Sequence, residues 1–299
     1  MKKERIIKAL SSRTADRIAK AVIWLGVVVI GLVVLHYGRR ILVCDHVIAR
    51  GPSMTPTLVS GQSMWVRKYL MGPRIFTRFN FEEGEPLHCF RLPGLRRLRA
   101  GDIAVFNGPD GWEHFDTVTF QINNVYAKRC LGAAGDTVGA RDAHYYSSGA
   151  DPTGIPLERE AELRAMSDAE TADLCGYEAG YFAREHRNWT IRDFGPLVVP
   201  ARGMTVRLDS IGVQHYAKAI CYETGFRPEW TRGQAWLEGR QVKEYTFRKN
   251  WCFFVGDNVL DSRDSRYLGF VPEEFVMARP RCSTRGVMSP WTTKPMPAI

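Results

Sequence analysis

The chain has 299 residues, 45% of them hydrophobic and 24% charged. That is the composition of a folded protein with core enough for one large domain or two ordinary ones, and it excludes a disordered chain. The net charge of +9 points to nucleic acid only until it is located: residues 1–20 carry seven basic and two acidic side chains, more than half of the excess.

Residues 1–20 therefore read as a basic tail, and the run from Ala21 to Gly38 that follows carries no formal charge. As a helix it spans roughly 27 Å, close to the ~30 Å of a bilayer's hydrocarbon core. Basic charge packed on one side of such a run marks a membrane flank, so the expected partner is a lipid bilayer and not nucleic acid. The positive-inside bias puts the N-terminus in the cytoplasm and everything after Arg40 outside. No small-x-small cleavage site occurs in His36–Arg40, which favours an uncleaved anchor over a signal peptide. Cys44 follows bulky Val43 and does not read as a lipoprotein site, and the one-sided flank is not that of a buried core helix.

Beyond the anchor, short branched and aromatic runs alternate with Gly, Pro and Asp. Asp102–Phe106, Met204–Leu208, Tyr245–Phe247 and Trp251–Val255 read as strands, the last ended by Gly256-Asp257-Asn258, so the body is mainly β. Pro156 opens a helical pattern over 157–166, and Ser167-Asp-Ala-Glu170 is a capping box that starts a second short helix. The expected organisation is a β body over 45–140 and 196–284, interrupted by a partly helical lobe at 141–195 and ended by a loose tail at 285–299. Seven cysteines are scattered without a C-x-x-C pair, which argues against a metal site and leaves disulfide pairing open.

Two stretches carry chemistry. Ser53 lies in Gly-Pro-Ser-Met-Thr-Pro-Thr-Leu (51–58), and Lys128 in Tyr-Ala-Lys-Arg-Cys-Leu-Gly-Ala-Ala-Gly-Asp-Thr-Val (126–138). Neither contains a histidine, which suggests a hydroxyl nucleophile activated by an amine base. Read alone, Ser53 is a turn serine and Lys128 a solvated strand lysine. An exposed lysine, with a pKa of about 10.4, is neutral in only about 0.04% of molecules at pH 7. A working base here therefore requires burial that lowers its pKa by about 3 units. Val125, Tyr126, Ala127, Cys130 and Leu131 offer the apolar setting.

With Arg99-Ala-Gly-Asp-Ile-Ala-Val-Phe106 and the run from Gly256 to Pro272, these stretches make four ordered blocks that resemble the bacterial type I signal peptidases, membrane-bound serine-lysine proteases. Gly195–Gly203 is also similar to a segment of the longer members from Bacteroidetes-like bacteria. The resemblance implies an antiparallel β-sheet catalytic body behind one transmembrane helix, with no cofactor. It implies Ser53 as nucleophile, Lys128 as general base, Ser262 bonded to the lysine, and an Asp264–Arg266 ion pair bracing the site beside Gly256. Met54, Leu58, Tyr126 and Ala127 would line shallow pockets for small residues at −1 and −3 of an extended substrate. The implied partners are signal peptides of exported preproteins, with the export translocon nearby. The implied location is the bacterial inner membrane, catalytic body on the outer side.

Five positions depart from the pattern. Val259 and Leu260 replace a frequent Arg-Asp and look peripheral to proton transfer. Gly51 stands where some members carry a serine that helps hold the oxyanion, leaving the Ser53 amide and an unnamed second donor. Ala49 and Arg50 replace apolar residues at the approach. Penicillin-binding enzymes are set aside because no serine is followed three residues later by lysine. Repressor-type autoproteases lack an anchor. A non-catalytic peptide-binding scaffold and a specialised pilin-type processing peptidase remain the alternatives.

Overall fold

In the computed structural model the described residues are 2–78, 87–108, 117–172, 174 and 189–280, with side chains from Ala15 onward. The expected tail at 285–299 and most of 173–188 lie outside them. Helix Lys2–Gly38 opens the chain. Across a bilayer a helix satisfies every backbone group internally, which is why Gly26, Gly31 and a run of valines do not break it. Its side chains from Ala15 on are largely bare, Trp24 at 70% and Leu35 at 69% exposure. The stretch Ala15–Val43 is long and apolar enough to cross a membrane, and none of its apolar window packs against protein. A core helix would be covered.

Among the described residues there are 17 strands, and this first helix, of 37 residues, is the longest helix. The body is thus mainly β, as expected. Among the described residues the largest sheet has seven strands in the order Cys44–Ile48, Ser63–Arg67, Val276–Pro280, Ile103–Gly108, Gln121–Gly132, Trp251–Val255 and Val271–Pro272. Every neighbouring pair is antiparallel. Ile103–Gly108 and Trp251–Val255 are buried along their whole length, which explains why they read as unbroken apolar runs and not as alternating ones. Phe106 stacks on Phe254 at 4.2 Å in the main core. Ile103 and Val105 pack on Met54, Leu58, Met64 and Val66 in a second, smaller one.

The strand read at 204–208 forms as Thr205–Arg207, paired with Glu244–Thr246. Leu157–Ala165 is helical, and the capping box forms: Glu170 N donates to Ser167 Oγ at 3.3 Å and Ser167 N to the Glu170 carboxylate at 2.7 Å. The longest described helix of the body, Ser210–Thr224, goes beyond the sequence reading. The Asp209 carboxylate accepts from Gly212 N at 2.9 Å at its start, and Gly225 ends it at φ +82. Its buried face (Val213, Tyr216, Ala217, Ile220) follows helical spacing.

A further three-stranded sheet, ordered His144–Ser147, Thr137–Arg141, Phe194–Val198, draws the two ends of segment 141–195 together.

Candidate active site

Strand Gln121–Gly132 changes character along its length. Ile103–Gly108 pairs with it from Gln121 to Arg129, whereas Trp251–Val255 covers its other edge only from Arg129 to Gly132. Among the described residues the first part has an open edge and the second is enclosed. Lys128 stands at the change, 2% exposed where Val125 is 46% exposed. Burial pushes its amine from 10.5 down to about 8; the Asp264, Asp261 and Asp257 carboxylates oppose this and Arg266 assists it. The lowering is close to the 3 units a working base requires.

The enclosing groups come from the chain after strand Trp251–Val255. Lys128 Nζ donates to Ser262 Oγ at 2.9 Å, and Ser262 Oγ donates to Asp264 Oδ2 at 2.6 Å. Arg266 grips Asp264 with Nε and Nη2, both at 2.8 Å, while Gly256 N donates to Asp264 Oδ2 at 2.9 Å. Burial alone would raise the Asp264 pKa, but the guanidinium outweighs it and holds the carboxyl below its usual range. Conversely, burial disfavours the Arg266 charge and Asp264 restores it. The expected ion pair is therefore present and almost dry, with side chains 3% and 0% exposed. Val259, one of the departures, contributes its carbonyl, which accepts from Arg266 Nη1 at 2.9 Å. Any residue could supply that group.

Ser53 sits in the turn that follows strand Cys44–Ile48. Gly51 holds φ +78 there, a left-handed conformation that glycine adopts freely and serine only with strain. Asn258 ties the turn down: its N donates to the Ser53 carbonyl at 3.1 Å and its Nδ2 to the Pro52 carbonyl at 3.3 Å. The Thr57 hydroxyl bonds Asp257, which receives Nε and Nη2 of Arg129 at 2.6 Å each. The Ser53 turn is thus fastened to the lysine strand through Asp257, a link the sequence reading missed. Ser53 Oγ makes no hydrogen bond among the described residues, and the Lys128 bond goes to Ser262.

Gly256 lies between the two groups. A Cβ there would overlap both the Ser53 carbonyl and the Ser262 hydroxyl. Gly256→Ala is therefore expected to push the turn and the lysine–serine pair apart, cutting turnover about 10²-fold or more, with a near-native far-UV spectrum. Unchanged turnover would show that the close approach is unimportant.

Ser53, Met54, Leu58, Tyr126 and Ala127 share one groove of about 410 Å³. Lys128 and Ser262 are not among the residues that line it. Met54 and Leu58 are also members of the smaller core, so they pack the fold and shape the groove at once. Ala49, Arg50 and Gly51 line it too, as do Ile48 and Asn123, which the sequence reading did not single out, and Val125, which it had read as part of the lysine's apolar setting. Asn123 and Val125 could have been placed in the groove from strand alternation with Ala127.

A family model described as signal peptidase, peptidase S26, matches residues 20–284. Among curated proteins no match is found.

Proposed function

Because the chain belongs to the signal peptidase family, peptidase S26, we propose that it is a membrane-anchored serine endopeptidase that removes signal peptides after small-x-small sites by a serine-lysine mechanism. The observation that carries this reading is the buried, deprotonation-prone Lys128 held by Ser262 beside the Ser53 turn.

In the proposed reaction, neutral Lys128 takes the Ser53 proton as Oγ bonds the scissile carbonyl carbon. The carbonyl electron pair moves to the oxygen, which the Ser53 backbone N–H stabilises. Collapse breaks the C–N bond, Lys128 returns the proton to the departing amine, and an acyl-Ser53 ester remains. Water, deprotonated by Lys128, then attacks the ester carbon; collapse breaks the C–Oγ bond, Lys128 returns the proton to Ser53 Oγ, and the acid leaves. Ser262 serves by accepting one ammonium or amine hydrogen, which aims the nitrogen lone pair. Asp264 and Arg266 fix Ser262.

An extended substrate would lie along the open edge of Gln121–Gly132, its small −1 and −3 side chains entering the groove walled by Met54, Leu58, Tyr126 and Ala127. Helix Lys2–Gly38 supports a bilayer partner, with the tail cytoplasmic, the body on the outer side of the inner membrane, and the translocon that delivers preproteins close by.

The test is cleavage of a panel of signal peptides by the detergent-solubilised chain, wild type beside Ser53→Ala. Cleavage after Ala-x-Ala is expected, with a fall of about 10³-fold or more in the variant. Equal cleavage by both would defeat the mechanism; none by either would favour a peptide-binding scaffold.

A further inference from the structure

Among the described residues, Tyr145 of segment 141–195 reaches the Ser262–Asp264–Arg266 group by its side chain. Tyr145, on strand His144–Ser147, is 1% exposed. Its hydroxyl accepts from Arg266 Nη1 at 2.7 Å and donates to the Ile191 carbonyl at 2.7 Å. The Arg266 guanidinium carbon lies 5.6 Å from the same ring's centroid. On the opposite side of Tyr145, helix Leu157–Ala165 supplies Glu160, which is also buried. Glu160 Oε1 accepts from Tyr145 N at 3.0 Å, and Oε2 pairs with His144 Nδ1 at 2.8 Å. Arg164 of that helix donates to the Asp142 carbonyl at 2.9 Å. The helix therefore holds the whole turn from Asp142 to Tyr145.

We propose that Tyr145 is a positioning residue for the Ser53–Lys128 reaction, clamping Arg266 through its phenol oxygen, and that Glu160 seats Tyr145 for this task. The proposal rests on the serine-lysine reading above and gives segment 141–195 a part in it.

The geometry favours positioning over mere burial. Burial raises the phenol's pKa, so its single proton stays in place and is directed at Ile191. That leaves the lone pairs for Arg266. An oxygen pinned from both sides has one location, and the guanidinium must meet it there. Arg266 has other acceptors, the Val259 carbonyl at 2.9 Å and the Asp264 carboxylate, so removing the phenol oxygen does not strand its charge. What is lost is the anchor on the Tyr145 side.

The consequence passes to Lys128. The charged groups acting on it are Asp264, Asp261, Asp257 and Arg266, and the Tyr126 ring lies 5.8 Å away. Of those four, Arg266 alone disfavours the ammonium. If it drifts from Lys128 the ammonium gains, and Asp264 no longer sets Ser262 firmly.

The experiment compares Tyr145→Phe with wild type and Lys128→Ala in full-length, detergent-solubilised protein, cleaving an Ala-x-Ala signal peptide from pH 5 to 10. Tyr145→Phe keeps the ring and removes one oxygen. The expected result is a kcat about tenfold lower, with little change in KM, and an acid limb displaced upward by about half a pH unit or more. A purely structural role would lower the melting temperature and leave the limb in place. An unchanged limb and kcat, with Lys128→Ala inactive, overturns the proposal alone. An active Lys128→Ala overturns the serine-lysine reading beneath it. Should Tyr145→Phe fail to fold, Glu160→Gln replaces it. It keeps an oxygen for Tyr145 N but loses the carboxylate oxygen that meets His144 Nδ1, and a smaller upward shift is expected; a wild-type profile there also overturns the proposal.

Discussion

Replacing Lys128 by methionine is expected to abolish cleavage, a fall of about 10⁴-fold or more, and to raise the melting temperature at pH 7. Both effects have one cause. With burial bringing the amine to about 8, about 9% of molecules carry a neutral lysine at pH 7, against about 0.03% at the ordinary value. With Lys128 as the proposed base, its active form becomes roughly 300-fold more abundant. The fold loses stability in exchange, because a group whose pKa is lowered by burial opposes folding wherever it is charged. The unfolded chain binds this proton up to pH 10.5 and the folded chain only up to about 8. Stability therefore rises with pH between those values and carries the full penalty, about 3 kcal/mol, below them. Methionine has similar length and no charge. It removes the penalty, less what Ser262 and Asp264 lose with their partner, for a net gain of about 1–3 kcal/mol. Wild-type kcat/KM should rise with pH through a limb centred near 8. A limb centred near 10, or a less stable Lys128→Met at pH 7, would contradict the burial argument.

Legibility in the sequence followed the range of the interactions. The serine turn, the lysine strand and the Asp264–Arg266 pair are local blocks, and the structure brings them together. Strands such as Trp251–Val255 were readable because burial on both faces leaves unbroken apolar runs. Helix Ser210–Thr224 had its caps in plain view, Asp209 and Gly225, but its apolar spacing is diluted by Lys218 and Gln214, and a mainly β reading passed over it. The Thr57–Asp257–Arg129 link and the Tyr145–Arg266 clamp join positions scores of residues apart. Nothing in the local pattern of any partner announces such bonds. Gly256 was legible as a turn glycine, yet what it excludes, a Cβ between Ser53 and Ser262, depends on three segments meeting. Gly51 was read as one oxyanion donor missing, and its left-handed backbone supplies the physical reason for glycine there.

Asp264→Asn should be the most damaging single-atom change in the body. Asp264 Oδ2 accepts from Ser262 Oγ, Gly256 N and Arg266 Nη2, while Oδ1 accepts from Arg266 N and Nε. Whichever oxygen becomes the amide nitrogen, it faces only donors. Arg266 meanwhile keeps its charge in a dry site. Removing one partner of a buried pair in this way costs about 3–5 kcal/mol. Lower yield and an earlier melt are therefore expected. The acid side should change as well: the folded-state pKa of Asp264 is depressed, so its stabilisation is complete above the unfolded value and is lost as pH falls through the folded one. The variant lacks that loss, so its acid unfolding should be shallower below pH 4. In whatever folded protein survives, Lys128 no longer feels the carboxylate that raises its pKa, so the activity limb should move to lower pH even as kcat falls. That is the opposite direction to Tyr145→Phe. Limbs moving the same way in both variants would mean that Arg266 and Asp264 do not act on Lys128 with opposite sign, and the electrostatic account of the base would fail.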